Sequence, residues 1–260
     1  MKALQIPRKD IFLCTKFGLL PAPGGVRGDP EYVKSAIERS LKDLEVDYVD
    51  LYYQHRVDPK VPIEDTVRAM QELKDAGKIK HIGLSECSAE TLRRAAKVAK
   101  IDAVQWEYSL WETSVEHNGI LEACKELGIT LVAYSPLGRE MLSGKFRKRS
   151  DLPAGDWRLD APRFSEENFP KNIELVDQLS AFASHKRCTP GQLALAWVLA
   201  QWDGIIPIPG TTRAEALEEN IGSARVSLTQ EELGEIRKVL DSFTVVGTRY
   251  NAQGMSLPNK

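Results

Sequence analysis

The stretch "PIPGTTRAEALEEN", Pro207 to Asn220, runs from an apolar segment through a glycine turn into a segment with helical periodicity. Thr212 and Glu215 have capping-box spacing, which predicts a helix beginning at Arg213. Free backbone N–H groups at such a start attract an anion, and an arginine beside them can grip a phosphate. An arginine in a first turn opposes the helix dipole, so a bound anion is the expected reason for it, against the alternative of a solvated surface arginine. The position of this turn decides between two architectures. A doubly wound sheet carries its phosphate turn after the first strand, yet nothing resembling G-x-G-x-x-G follows the first apolar run here. A phosphate turn after the final strand belongs to a (β/α)8 barrel.

Working outward from that turn, a short apolar run followed by a helix-period segment recurs six times. The runs are Ile11 to Thr15, Tyr48 to Gln54, His81 to Ser85, Ala103 to Tyr108, Thr130 to Tyr134 and Gly204 to Ile208. The alternation predicts a parallel sheet with crossover helices. Val33, Ile37, Leu41 and Leu44 share one helix face; Ile120, Leu121, Cys124 and Leu127 share another. Asp29-Pro30 and Thr189-Pro190 each put a capping side chain before a proline suited to the first helical position. Two segments break the rhythm: a polar loop from about Ser150 to Pro170, and a tail from about Phe243 after a final helix, Gln230 to Leu240. The fold expected is α/β of the (β/α)8 TIM-barrel type, with about six of eight units present, as a single domain over 1–260.

Composition is that of a globular protein, with net charge -2 and no basic surplus for nucleic acid. The N-terminal "MKALQIPRKD" has no apolar signal core, and the run Leu193–Leu199 is far shorter than a membrane span. A cytoplasmic location is expected. Cys14, Cys87, Cys124 and Cys188 form no C-x-x-C pair, so no metal site or disulfide frame is predicted.

Ligands of barrel folds sit at the C-terminal ends of the strands, and these ends are polar. They carry Lys16; Gln54, His55 and Arg56; Ser85 and Glu86; Gln105 and Glu107; Tyr134 and Ser135. Singly, a terminal lysine is more often solvated and a lone histidine more often structural. Together they converge on one mouth.

The order "CTKFG", "DLYYQHR", "IGLSE", "AVQWEYSLW", "VAYSPLGREMLSGKF" and "IPIPGTTRAEALEEN" resembles the aldo-keto reductases, nicotinamide-dependent barrels that reduce aldehydes and ketones. "GTRYNAQGM" and "LPAGDWRLDAPRFSEENF" further resemble the branch containing pyridoxal reductase-like enzymes. The resemblance implies that Lys16 is the ammonium easing ionisation of a phenolic proton donor, and His55 the imidazole that orients the carbonyl. It assigns the nicotinamide carboxamide to Ser85 and Gln105, with Glu86 where many relatives carry asparagine, and the stacking ring to Tyr134. It assigns the diphosphate and adenosine to Ser135, Leu137, Gly138, Lys145, Gly210, Thr211, Thr212, Arg213, Glu219 and Asn220. NADPH is the expected cofactor and a small carbonyl compound the expected substrate; no metal, nucleic acid or membrane partner is expected.

The family's barrel opens with two strands ahead of the lysine strand, which deliver an aspartate and a tyrosine. Only "MKALQIPRKD" precedes Ile11, so a truncated chain is expected, without a counterpart of those two residues. Loss of a general acid is worth about 100- to 10,000-fold in rate. His55 as imidazolium, or a water, is the expected weak substitute. Unpaired strand edges would also invite oligomerisation. The leading expectation is NADPH-dependent carbonyl reduction, impaired in this chain if the phenol is absent. The alternatives are an NADPH-binding pseudoenzyme or regulatory subunit, and an aldolase-like barrel with Lys16 as Schiff-base nucleophile. The tail 243–260 is expected near the substrate mouth, with Trp106, Trp111, Trp157 and Tyr250 shaping specificity.

Overall fold

The computed structural model describes residues 6–21 and 25–251. Among them are six strands, β1 (Cys14–Phe17), β2 (Val49–Gln54), β3 (Ile79–Ser85), β4 (Ala103–Glu107), β5 (Thr130–Tyr134) and β6 (Ile205–Pro207). Each is bonded to its neighbour in sequence, in the order β1-β2-β3-β4-β5-β6. The helices are α1 (Pro30–Leu44), α2 (Ile63–Asp75), α3 (Ala89–Ala96), α4 (Ile120–Leu127), α5 (Asn168–Lys186), α6 (Pro190–Ala200), α7 (Ala214–Gly222) and α8 (Gln230–Asp241). No helix among the described residues is long and apolar enough to cross a membrane.

The described chain clusters into two compact units. The first holds the residues up to Gln105 together with Asn118–Leu131; the second holds Trp106–His117 and the residues from Val132 onward.

In the first unit the ladder is parallel from β1 to β4. All six residues of β2 are buried, as expected of a parallel strand covered on both faces. Its neighbours pack helices whose starts follow the predicted chemistry. The Asp29 side chain accepts from the Tyr32 N–H at the head of α1, with Pro30 at the first helical position. Val33, Ile37 and Leu41 then form the buried stripe of α1; α4 buries Ile120, Ala123 and Cys124.

The second unit is mostly helical. The Thr189–Gln192 and Thr229–Glu232 capping boxes start α6 and α8. The Ile208 N–H donates to the Ala133 carbonyl at 2.9 Å, tying the end of β6 to β5. The segment 149–164 is built from three short 3-10 turns, Arg149–Asp151, Trp157–Asp160 and Pro162–Phe164. Its end is earlier than the sequence suggests, because α5 already begins at Asn168. The tail is tied down at Val246, whose N–H and carbonyl both pair with the Asn172 carboxamide, each at 2.9 Å.

Several strand ends shift by one or two residues from the sequence reading, and two boundaries differ for an identifiable side-chain reason. β1 begins at Cys14, not Ile11, and Lys16 lies inside it. The cause is a side-chain interruption: the Leu13 N–H donates to Asp50 Oδ2 at 2.8 Å, so regular ladder register starts one residue later. Phe12, which the apolar run appeared to commit to the core, is 63% exposed. At the other end, the predicted Thr212–Glu215 capping box does not form. Arg213 is the N-cap of α7, with no side-chain cap, because Thr211 Oγ1 accepts the Arg213 N–H at 3.1 Å and turns the chain one residue later than predicted.

Candidate active site

Parallel register decides which strand-end side chains share a face. Lys16 is level with Tyr53, and Tyr53 with Gly83, which is level with Ala103. Two residues further on, Ser85 is level with Gln105. Gln54 pairs with Leu84, so the next residues, His55 and Ser85, are also level. Side chains alternate between faces with period two. Lys16, Tyr53, His55, Ser85 and Gln105 therefore lie on one face of the first unit, in two adjacent rows. Of the site residues that the sequence placed on β1 through β4, the register puts Lys16, His55, Ser85 and Gln105 on this face; Glu86, one position beyond Ser85, is not in that row.

The electrostatics of this face follow from its burial. Lys16 is half-buried; burial lowers its pKa, Cys14 opposes that shift, and Arg56 adds to it. His55 is pushed down to about 4 by burial, with the Arg56 and Lys16 charges acting in the same direction and Glu86 against it. At neutral pH His55 is therefore a neutral imidazole, which corrects the imidazolium expected from sequence: two cations beside a half-buried ring disfavour a third charge. Ser85 and Gln105 are almost fully buried, and Arg56 reaches across to within 3.5 Å of Ser85 Oγ. Glu86 follows at φ +52°, a left-handed conformation costly for a non-glycine residue, with its N–H donating to the Gln105 carbonyl at 3.0 Å. That turn keeps the polar tips of β3 and β4 in register.

In the second unit, Tyr134 and Ser135 end β5. Ser135 is left-handed at φ +50°, and its carbonyl accepts from the Gly138 N–H at 2.8 Å. Gly138 has φ +56°, and a Cβ there would come within 2.8 Å of the Trp111 ring, so glycine is required on both counts. A Cβ at Gly191, near the start of α6, would meet Glu219 Oε1 at 3.4 Å and Leu137 at 3.7 Å. The β5 loop and α7 thus converge on the head of α6. Lys145 is exposed, 3.7 Å from Glu140. Gly210, Thr211, Thr212 and Arg213 are all exposed at the end of β6, and Asn220 is half-buried on α7.

A nucleotide coenzyme can be tested against these residues directly. α7 starts without a side-chain cap, leaving its first N–H groups available, and a Cβ built at Gly210 finds nothing within 4 Å. Exposed Arg213 adds a fixed positive charge beside them. The residues present fit a phosphate-bearing ligand.

Three side-chain arrangements were not read from the sequence. Tyr53 sits beside Lys16, and the i, i+2 spacing to His55 was the available signal. Arg56 was noted as a strand-end residue but not as a partner of Ser85. The third is a buried arginine cluster in the second unit. Arg139 and Arg249 each lie 3.5 Å from Glu107, whose carboxyl is pushed up by burial against their pull. Arg139 also donates to the Arg249 carbonyl and lies 4.6 Å from the centre of the Tyr250 ring, and the Tyr250 hydroxyl is 3.1 Å from that of Tyr134. The tail thereby contacts the tyrosine that the family resemblance assigns to stacking.

A parallel α/β sheet whose strand tips gather a lysine, a neutral histidine and buried polar side chains has the arrangement of an enzyme site of the barrel type. The chain belongs to the aldo/keto reductase family, whose profile matches residues 1–241. It is 50% identical over 252 residues to an aldo-keto reductase of Strobilurus tenacellus, covering 96% of this chain and 74% of that one. It is 47% identical over 249 residues to an aldo-keto reductase of Schizosaccharomyces pombe whose name specifies NADP(+), covering 94% and 73%. Among solved structures it is similar to the glycerol dehydrogenase of Gluconobacter oxydans, with a TM-score of 0.82 at 26% identity, covering 95% of this chain and 77% of that one. The barrel-type α/β fold expected from the sequence is the fold shared with these oxidoreductases.

Proposed function

We propose that this chain binds NADPH and reduces the carbonyl group of a small aldehyde or ketone to an alcohol. The observation that carries the reading is the shared face of Lys16, His55, Ser85 and Gln105 at the strand ends. A reduced nicotinamide, when bound, supplies the hydride to the carbonyl carbon while the oxygen takes up a proton. Ser85 and Gln105 hold the carboxamide and so fix the orientation of the ring. His55 donates one imidazole N–H to the carbonyl oxygen, where negative charge develops. The Lys16 ammonium favours the ionised form of a proton donor beside it. Arg213 and the uncapped start of α7 receive phosphate, which supports NADPH over NADH, in line with the relative named for NADP(+). Quenching of intrinsic fluorescence on titration with NADPH tests the reading, and a folded sample with no response to the coenzyme rejects it.

NADPH oxidation followed at 340 nm over a panel of small aldehydes tests turnover separately from coenzyme binding.

A further inference from the structure

We propose that Tyr53 is a positioning residue for Lys16: its ring face, laid over Gly83, forms the seat that holds the ammonium in place and keeps it charged. The Lys16 Nζ lies 5.6 Å from the centre of the Tyr53 ring, within the range in which a cation is attracted to an aromatic face. The two residues are direct register partners on adjacent strands, so the contact is fixed by the sheet rather than by chance rotamers. The ring is itself confined, being 1% exposed. On its other side stands Gly83, where a Cβ would come within 2.4 Å of Tyr53 Cδ1 and 2.5 Å of Cε1. Gly83 does not have a positive φ, so room for this ring, not backbone freedom, is what glycine provides there.

The need for a seat follows from the surroundings of the ammonium. Burial and the Arg56 charge both act against the charged lysine, and His55 above it is neutral. Cys14, on the same strand, opposes that shift. Tyr53 adds attraction from the ring quadrupole.

This inference rests on the reading of Lys16 as the active-site ammonium, and the experiment separates the two. The full chain is prepared with phenylalanine, tetrafluorophenylalanine or pentafluorophenylalanine at position 53, and as Tyr53→Leu. Lysines are reductively methylated with 13C-formaldehyde, and the Lys16 resonance is assigned by its loss in Lys16→Arg. Cation–π stabilisation of roughly 0.5–2 kcal/mol predicts a fall in the Lys16 pKa of about 0.4–1.5 units on removing it. Tyr53→Phe should leave the value unchanged, and fluorination should lower it progressively at nearly constant ring shape, with Tyr53→Leu lowest. A pKa indifferent to fluorination overturns the proposal, whether or not Tyr53→Leu folds. If the series shifts the pKa but Lys16→Met turns over normally, the seat stands and the catalytic reading of Lys16 fails.

Discussion

Arg163 donates from Nη2 to Glu112 Oε2 at 2.6 Å, with both side chains about nine-tenths buried. Burial opposes ionisation of Glu112, yet the Ser114 N–H and the Arg163 guanidinium together hold its carboxyl below the usual range. The same arginine reaches the Gly247 carbonyl at 3.3 Å and so ties the β4 loop to the tail. Removing one partner of such a pair strands a buried charge. Arg163→Ala is expected to destabilise the protein by about 3–5 kcal/mol, read as a lowered urea midpoint. Because the pair costs desolvation, Glu112→Gln combined with Arg163→Met should recover much of the loss; no recovery in the double variant would contradict this account.

His55 makes stability depend on pH. Its pKa is about 4 in the folded chain and near 6.5 when unfolded, so between those values the unfolded state binds the extra proton. Stability is complete above about pH 6.5 and declines as pH falls toward 4. Denaturant midpoints at pH 7.5, 6, 5 and 4.5 should fall more steeply for the native sequence than for His55→Gln. Parallel slopes would mean that the imidazole titrates alike in both states.

Gly247 is a test of how the tail is held. It has φ +91°, and a Cβ there would meet the Pro162 carbonyl and the Arg163 nitrogen at 2.8 Å, all backbone atoms that cannot swing aside. Gly247→Ala should loosen the tail at a cost of about 1–3 kcal/mol. Hydrogen exchange should quicken at Val246, whose N–H is held by Asn172. Unchanged protection at that amide would show that the strap tolerates a side chain.

Much of this fold was legible because its signals are local. Asp29-Pro30 and Thr189-Pro190 mark helix starts by chemistry confined to a few residues, and β2 announces itself as a run buried on both faces. The errors arose where a distant residue intervenes. Asp50 captures the Leu13 N–H and shifts the start of β1, and the Thr211 hydroxyl displaces the predicted cap of α7. Strand-end residues of the first unit were readable because parallel register turns a list of tips into a row. The Glu107–Arg139–Arg249 cluster was not, since Arg249 is 142 residues from Glu107 and nothing in the local pattern pairs them.

The proposed preference for NADPH is testable at Arg213. That residue is exposed, caps α7 through its backbone rather than its side chain, and so carries a guanidinium free of structural duty in the helix start. A charge-assisted hydrogen bond to a phosphate is worth about 1.5–3 kcal/mol. Arg213→Ala should therefore weaken NADPH binding by about 10- to 150-fold, with the loss shrinking at high salt. NADH has no 2′-phosphate, so its affinity should change little in the same variant, and folding should be unaffected because the side chain is solvated. Isothermal titration with both coenzymes reads the difference. An equal loss for both would assign Arg213 to the diphosphate, and no loss for either would return it to the solvated surface.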